Sequence, residues 1–270
     1  PSFGSLFTAG TENTKESIIE IQYTISGGPN GQFTNFFTPS GTTLTPSAAN
    51  GPFGRNRPNK DIFDRHKAQY PGDPRFDVSY VYGSVTLNTG ASQTIYPANT
   101  TNRGWPYIKK YVDPAYVATY SNRNFIYMRY ADVLLSLAEA ENELNGPANA
   151  YQYVNQVMAR ARNSASPAAA VPADWSGMTQ EQFRGRIMRE RRYELIGECH
   201  LYYDARRRGA DSLKAFFIEH NTHPTFNANF DRTYPTDDAT VNKLLLMPIP
   251  EREINTNTLI NPEHQNPGYN

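Results

Sequence analysis

The apolar positions of this chain fall into two regimes. Between residues 124 and 209 they recur at helical spacing, and elsewhere they come in short runs broken by Gly, Pro and Asn. Over 126–145, Tyr127, Ala131, Leu134, Leu135 and Ala138 line one face, and Asn145-Gly146 ends the element. Pro147 suits the first turn of a second helix over 147–162, with Ala150, Val154, Val157 and Ala161 on its apolar side. So short a connection predicts an antiparallel αα-hairpin. Thr179 and Gln182 spell a capping box, after which Phe183, Ile187 and Leu195 seed a third helix to about Ile196. Trp175, just ahead of that cap, reads as a packing residue. A short helix is expected over 200–208, closed by Gly209, and another turn or two over 211–219.

Outside this region the elements are short. IIEIQYTI (18–25) alternates like a strand until GGPNG breaks it. NKDIFDRHKAQ (59–69) predicts a helix with Asn59 as N-cap, PGDPRFD (71–77) a turn, and VSYVYGSVTL a strand. Residues 26–60 and 88–124 read as loops, and ordered loops of that length tend to carry function. In the tail, LLLM reads as a buried strand, and the Pro- and Asn-rich remainder as extended chain wrapping the surface. The expected fold class is mainly α, with a TPR-type helix hairpin, long ordered loops and minor β. Its expected parts are a loop-rich stretch with short strands (1–124), a helical core (125–220) and a wrapping tail (221–270). A lone hairpin leaves solenoid faces uncovered, so further helices are expected beyond this sequence.

Composition narrows the function. The chain has 26 basic and 26 acidic residues, with no basic stripe for nucleic acid and no acidic tail. Abundant Tyr and Asn suit surfaces that meet polar, uncharged ligands. A single cysteine, Cys199, excludes an intrachain disulfide and a multi-cysteine zinc site. No run of about 18 apolar residues occurs. The first residues lack the basic and apolar regions of a signal peptide, and the sequence reads as part of something longer.

Few residues point to chemistry. In RERRYE (189–194) and just before it, Arg186/Glu190 and Arg191/Glu194 stand at helix-neighbour spacing, and a salt-bridge network locking this helix to Arg129 or Asp132 is expected. Arg206, Arg207 and Arg208 complement a helix C-terminus. His220 and His223 lack supporting carboxylates at metalloprotease spacing, and GxGxxG, Walker and GxSxG motifs are absent. Asp61, Asp64, Asp73 and Asp77 crowd one region, yet nothing singles out two as an acid and nucleophile pair. No catalytic, metal or cofactor site is therefore expected. The candidate ligand residues are loop aromatics with polar neighbours: Trp105, Tyr107, Tyr96, Tyr82 and Phe53, beside Arg55, Asn56 and Arg57. A flat ring can stack on the C–H face of a sugar while Asn, Arg and Tyr bond its hydroxyls. The competing reading for any one of them is a ring that pins a loop to the core.

Several ordered segments resemble one bacterial family. FIYMRYADVLLSLAEAENELNG (125–146) resembles the RYADVLLMYAEA helix of the SusD/RagB family of Bacteroidota surface lipoproteins. KESIIEIQY (15–23), GDPRFD (72–77) and KKY (109–111) are similar to its ESIFEIQ strand, DPR turn and Lys-Tyr pair. VNQVMARAR (154–162), IMRERRYELIGECHLYYDARRRG (187–209) and MPIPEREINTNTLINPEHQNPGY (247–269) complete the series. The departures are Cys199-His200-Leu201, where Gly-x-Arg is common, and Tyr203-Asp204-Ala205, where Phe-Asp-Leu is preferred. The resemblance implies a SusD-like, C-terminal portion of a non-enzymatic binding protein, without cofactor. It also implies lipid anchoring to the outer membrane through an N-terminal region, a SusC-like TonB-dependent transporter as partner, and an oligosaccharide as ligand. A peptide ligand, as in the RagB branch, and a purely structural lid on the transporter are the alternatives. A charged binding face would favour peptide, and exposed rings sugar. The family's ligand residues follow no fixed motif, so none is carried over.

Overall fold

The helical spacing becomes a three-helix layer, and the irregular stretches become a set of two-stranded ribbons and short helices around it. The computed structural model describes residues 2–26, 28–46, 51–97, 104–117 and 119–269. The chain divides into two compact units, Pro1–His200 and Leu201–Asn270. In the first, β1 (Ser17–Ile21), α1 (Phe33–Phe37), α2 (Lys60–Gln69) and α3 (Pro74–Ser79) precede the strands β2 (Tyr80–Val81), β3 (Gly83–Thr86), β4 (Ser92–Tyr96), β5 (Tyr107–Ile108) and β6 (Phe125–Arg129). The helices α4 (Tyr130–Asn145), α5 (Pro147–Arg162) and α6 (Gln180–Glu194) follow. All strand pairs are antiparallel: β1 with β6, β2 with β5, β3 with β4.

The α4–α5 hairpin turns at Gly146, whose φ of +83° suits glycine, and Pro147 opens α5 where its missing N–H costs nothing. Leu134, Leu135 and Ala138 of α4 meet Ala150, Val154 and Val157 of α5 and Phe183 and Ile187 of α6 in one buried cluster. Trp175 plugs its end, 5.3 Å and edge-on from Phe183. Each of the larger side chains contributes about 1.5–3 kcal/mol by leaving water. The capping box is present: the Gln182 N–H donates to Thr179 Oγ1 (3.2 Å) and the Thr179 N–H to Gln182 Oε1 (2.9 Å).

Four local expectations are corrected. Residues 125–129 are a strand, not the start of the long helix, because Ile21↔Phe125 and Glu20↔Ile126 pair across the β1–β6 ladder. Tyr127 accordingly leaves the helical face and is 57% exposed. GDPRFD is no mere turn: Asp73 accepts a hydrogen bond from the Arg75 N–H (2.9 Å) and caps α3, with Pro74 in its first turn. In the second unit, residues up to Leu245 of the LLLM run lie in a helix, not a strand. That unit holds α7 (Leu201–Arg207), α8 (Ala210–Asn221), α9 (Asp238–Leu245) and α10 (Glu251–Thr256). The Asp237 carboxylate caps α9 through the Thr240 N–H (2.8 Å), and Val241 buries against the unit. The stretch after PIP, expected to be extended, likewise begins as α10. Leu213, Phe216 and Phe217 of α8 form the core here, with Phe217 stacked on Tyr234 at 4.9 Å.

The first unit is organised by buried charge. Glu194 of α6 accepts hydrogen bonds from Arg75 (2.9 Å), Arg129 and Arg160, and Glu190 accepts from Arg75 (2.6 Å) and Tyr70 (2.8 Å). Arg75 also clamps Asp73 through Nη2 at 2.6 Å. Glu198 takes Arg129 at 2.7 Å and Lys110 at 2.6 Å, while Arg191 reaches Asp132 at 2.7 Å. The expected locks to Arg129 and Asp132 are thus both made, within a wider network. Arg75, Lys110, Glu190 and Glu194 are each 0% exposed. Burial opposes ionisation of Glu194, but Arg160, Arg129 and Arg75 outweigh it and hold its carboxyl well below the usual carboxylate range. Burial likewise pulls the Lys110 ammonium down to about 8, against the pull of Glu198.

Removing one partner leaves buried charge uncompensated. Glu194→Gln should therefore cost about 3–5 kcal/mol in urea unfolding. Glu143→Gln, which breaks the half-exposed Arg184–Glu143 pair (2.6 Å), should cost less than about 1 kcal/mol. Equal losses would refute the role given to the buried network. A second expectation concerns pH. His66 stacks on Tyr193 (4.5 Å), its Nε2 lies 3.2 Å from Asp73, and its Nδ1 has no hydrogen-bond partner. Burial first, and Arg75 second among the lowering effects, keep its pKa below the usual 6.5. The unfolded chain then takes up a proton that the folded chain refuses, so stability is full above 6.5 and falls as pH drops through it. The urea midpoint should decline between about pH 7 and about pH 5.5, and His66→Gln should flatten that decline. An undiminished slope in the variant would assign the effect to other groups.

Candidate functional site

The loop-rich part of the first unit brings six of the eight candidate residues together. The loop over 51–58 hangs from α1: the Phe53 and Gly54 N–H groups donate to Asn35 O (2.8 and 3.3 Å), and the Asn56 N–H to Phe36 O (2.9 Å). Gly54 has φ +55°, and a Cβ there would come within 2.8 Å of both Thr38 O and Tyr107 Cε1. Only glycine lets the loop lie directly on the Tyr107 ring. Tyr107 is fixed in turn by β5, where it pairs with Val81, and Trp105 lies two residues ahead of it.

Cations cover these rings. Arg57 Cζ sits 4.2 Å from the Trp105 centroid and 5.8 Å from that of Tyr107. Lys60 Nζ, at the start of α2, is 5.2 Å from Trp105, and Arg55 Cζ is 5.2 Å from Phe53. Phe53 is 50% exposed, Arg55, Asn56 and Arg57 are exposed, and Trp105 and Tyr107 are half-buried. The result is an open shelf of three rings overlaid by guanidinium groups, not a row of bare rings. Lys60 and Gly54 belong to it and were not singled out in the sequence. A glycine between Phe53 and Arg55 was the one available signal.

Tyr96 and Tyr82 sit apart, around Phe63 of α2. Tyr96 is only 3% exposed, its ring edge-on to Phe63 at 5.1 Å and its hydroxyl donating to Asp64 (2.6 Å). Its ring has no face for a ligand, and it pins the β4 end to α2. Tyr82 is half-buried, 5.3 Å from Phe63, and its hydroxyl donates to Asp77 (2.7 Å), a bond that with burial pushes the phenol up to about 12. Asp64 and Asp77 are thus taken by tyrosines, and Asp73 by Arg75 and His66. His220 turns inward to Arg232 O (3.0 Å), and His223 bonds Thr225 (2.8 Å).

The shelf depends on the close seat of Gly54. Gly54→Ala should push the loop off Tyr107, strip Arg57 from Trp105 and cost about 1–2 kcal/mol. Since Trp175 is buried at 1% exposure, a shift in tryptophan emission would report Trp105 alone. Unchanged emission would show that the loop does not set the shelf.

Comparison with known proteins places this architecture. Over 170 residues the chain is 36% identical to SusD-like protein P2 of Formosa agariphila, covering 61% of this chain and 30% of the relative. A SusD homolog from Bacteroides thetaiotaomicron superposes with a TM-score of 0.72 at 22% identity, over 99% of this chain and 55% of that one. Surface glycan-binding protein A from Bacteroides uniformis gives 0.60 at 19% identity, over 95% and 50%. At these identities the structures establish the fold, which is mainly helical and SusD-like. The chain spans about half the length of these two solved relatives. The sequence model of the SusD family matches residues 15–269, and the chain belongs to that family.

Proposed function

We propose that this chain is the ligand-presenting portion of a non-catalytic, cell-surface glycan-binding protein that passes oligosaccharide to a SusC-like TonB-dependent transporter. A lipidated N-terminal region of the longer protein would hold it at the outer membrane. The observation that carries this reading is the open shelf, where the half-exposed Phe53 ring, Trp105 and Tyr107 lie beside the exposed amide of Asn56. Stacking surfaces with adjacent hydrogen-bonding groups match the alternation of C–H faces and hydroxyls on a sugar. Kinship with a surface glycan-binding protein of the same fold supports it. A purely structural lid has no use for such a shelf. The cations over the rings are the feature that a peptide ligand would also exploit, and they make peptide the second reading.

An affinity-gel series with immobilised oligosaccharides, run on wild type and Trp105→Ala, tests the glycan reading. Wild type should be retarded by at least one glycan, and the variant about fivefold or more less, the equivalent of one lost stacking contact of about 1 kcal/mol. Retardation that does not change in the variant would remove Trp105 as a platform. Retardation by none of the glycans would remove the proposed function.

A further inference from the structure

We propose that the glycan bound on this shelf is anionic, bearing carboxylate or sulfate-ester groups; the proposal rests on the glycan-binding reading and names its substrate class. Three observations converge. Arg57 lies over Trp105 at 4.2 Å and Arg55 over Phe53 at 5.2 Å. A guanidinium held over a ring by cation–π attraction keeps its five N–H donors for other partners. Those donors are unclaimed: among the described residues neither Arg55 nor Arg57 makes a side-chain hydrogen bond or ion pair, and both are exposed.

By contrast, Arg75 is held by Asp73, Glu190 and Glu194, and Arg123 by Glu12 (3.2 Å). The acidic side chains nearest in sequence are buried or engaged by tyrosines. Asp61 is buried at 1% exposure, Asp64 receives the Tyr96 hydroxyl and Asp77 the Tyr82 hydroxyl. The shelf therefore carries local positive charge on a chain whose basic and acidic residues balance at 26 each.

A neutral sugar would meet these guanidinium groups only through neutral hydrogen bonds. An acidic sugar adds a charge pair to the same contact. Its carboxylate or sulfate pairs bidentately with the fork of Arg57, while Phe53 and the exposed parts of Trp105 and Tyr107 contact the ring. A carboxylate and a sulfate ester present the same pair of charged oxygens to that fork, so the geometry admits both. An acidic peptide would use the same charge. However, the shelf sits on the two-residue strand β5, which offers little edge for an extended backbone to pair with. The half-exposed Phe53 ring and the partly exposed Trp105 and Tyr107 rings favour the sugar.

The test is binding calorimetry of the whole chain against matched polymers. Polygalacturonate is compared with its methyl ester, and a sulfated galactan with its desulfated form. Poly-glutamate serves as the acidic peptide. The charged member of at least one pair should bind about fivefold or more tighter than its neutral partner, and the advantage should shrink as salt rises. Arg57→Gln and Arg55→Gln, confirmed folded by thermal melting, should abolish that advantage, so that the charged and neutral members of the pair bind alike. Which pair shows it separates carboxylate from sulfate. Equal binding of charged and neutral members, still sensitive to Trp105→Ala, would overturn the anionic class and leave glycan capture standing. Binding of poly-glutamate, with no polymer bound, would overturn both in favour of peptide.

Discussion

The first unit rests on one carboxylate. Glu194, without solvent exposure, receives three guanidinium groups from separate parts of the chain: Arg75 at the start of α3, Arg129 at the end of β6 and Arg160 near the end of α5. Hydrophobic contact is tolerant of small shifts, whereas a buried ion needs its partners at hydrogen-bond distance or becomes strongly unfavourable. The network therefore selects one arrangement of these segments out of many that would bury similar apolar area. Its direct contribution to stability against an apolar substitute is small or even negative. Its effect is on register.

That register reaches the candidate site. Asp73 and Arg75 fix the start of α3, and α3 runs directly into β2. Lys110, bonded to Glu198 and to Glu194 O (2.9 Å), fixes the chain just after β5. The two strands then have one way to pair, Tyr80 with Ile108 and Val81 with Tyr107. His66 ties α2 to Asp73 from the other side. With α2 and β5 both set, Lys60 falls beneath Trp105 and Tyr107 becomes the seat for Gly54. An exposed shelf on loops is thus held by a buried lattice at both of its edges, which is how an irregular segment keeps a fixed binding geometry.

What the sequence made legible was local. The α4–α5 hairpin and the capped α6 were written in spacing, Gly146, Pro147 and the Thr179–Gln182 box, all within a few residues of the structure they specify. The strand β6 was not, because its apolar run continues smoothly into α4 and its partner β1 lies about a hundred residues earlier, outside any local pattern. The helix α9 was misread for a related reason. It spans only about two turns, and with Val241 as its single buried residue it shows no repeating apolar face. At the candidate site, residue type named a set of rings but not which of them face out. Tyr96 and Trp105 are indistinguishable as letters, and only the packing of Phe63 against Tyr96 and of Arg57 over Trp105 separates them.

The segments of the first unit that carry the family resemblance turn out to supply the lattice, whereas 247–269 lies in the second unit and takes no part in it. KESIIEIQY supplies Glu16, GDPRFD supplies Asp73 and Arg75, and KKY supplies Lys110. RYAD supplies Arg129 and Asp132, VNQVMARAR supplies Arg160, and the ERRYELIGE run supplies Glu190, Arg191, Glu194 and Glu198. Polar residues that must meet one another inside a protein constrain each other's identity, whereas rings and arginines on an open loop answer only to the ligand. A SusD signature therefore reports how the scaffold locks and says little about the shelf that the scaffold carries. The candidate shelf residues Phe53, Arg55, Arg57 and Trp105 lie outside every one of those segments, and what these four present is aromatic surface with positive charge laid over it.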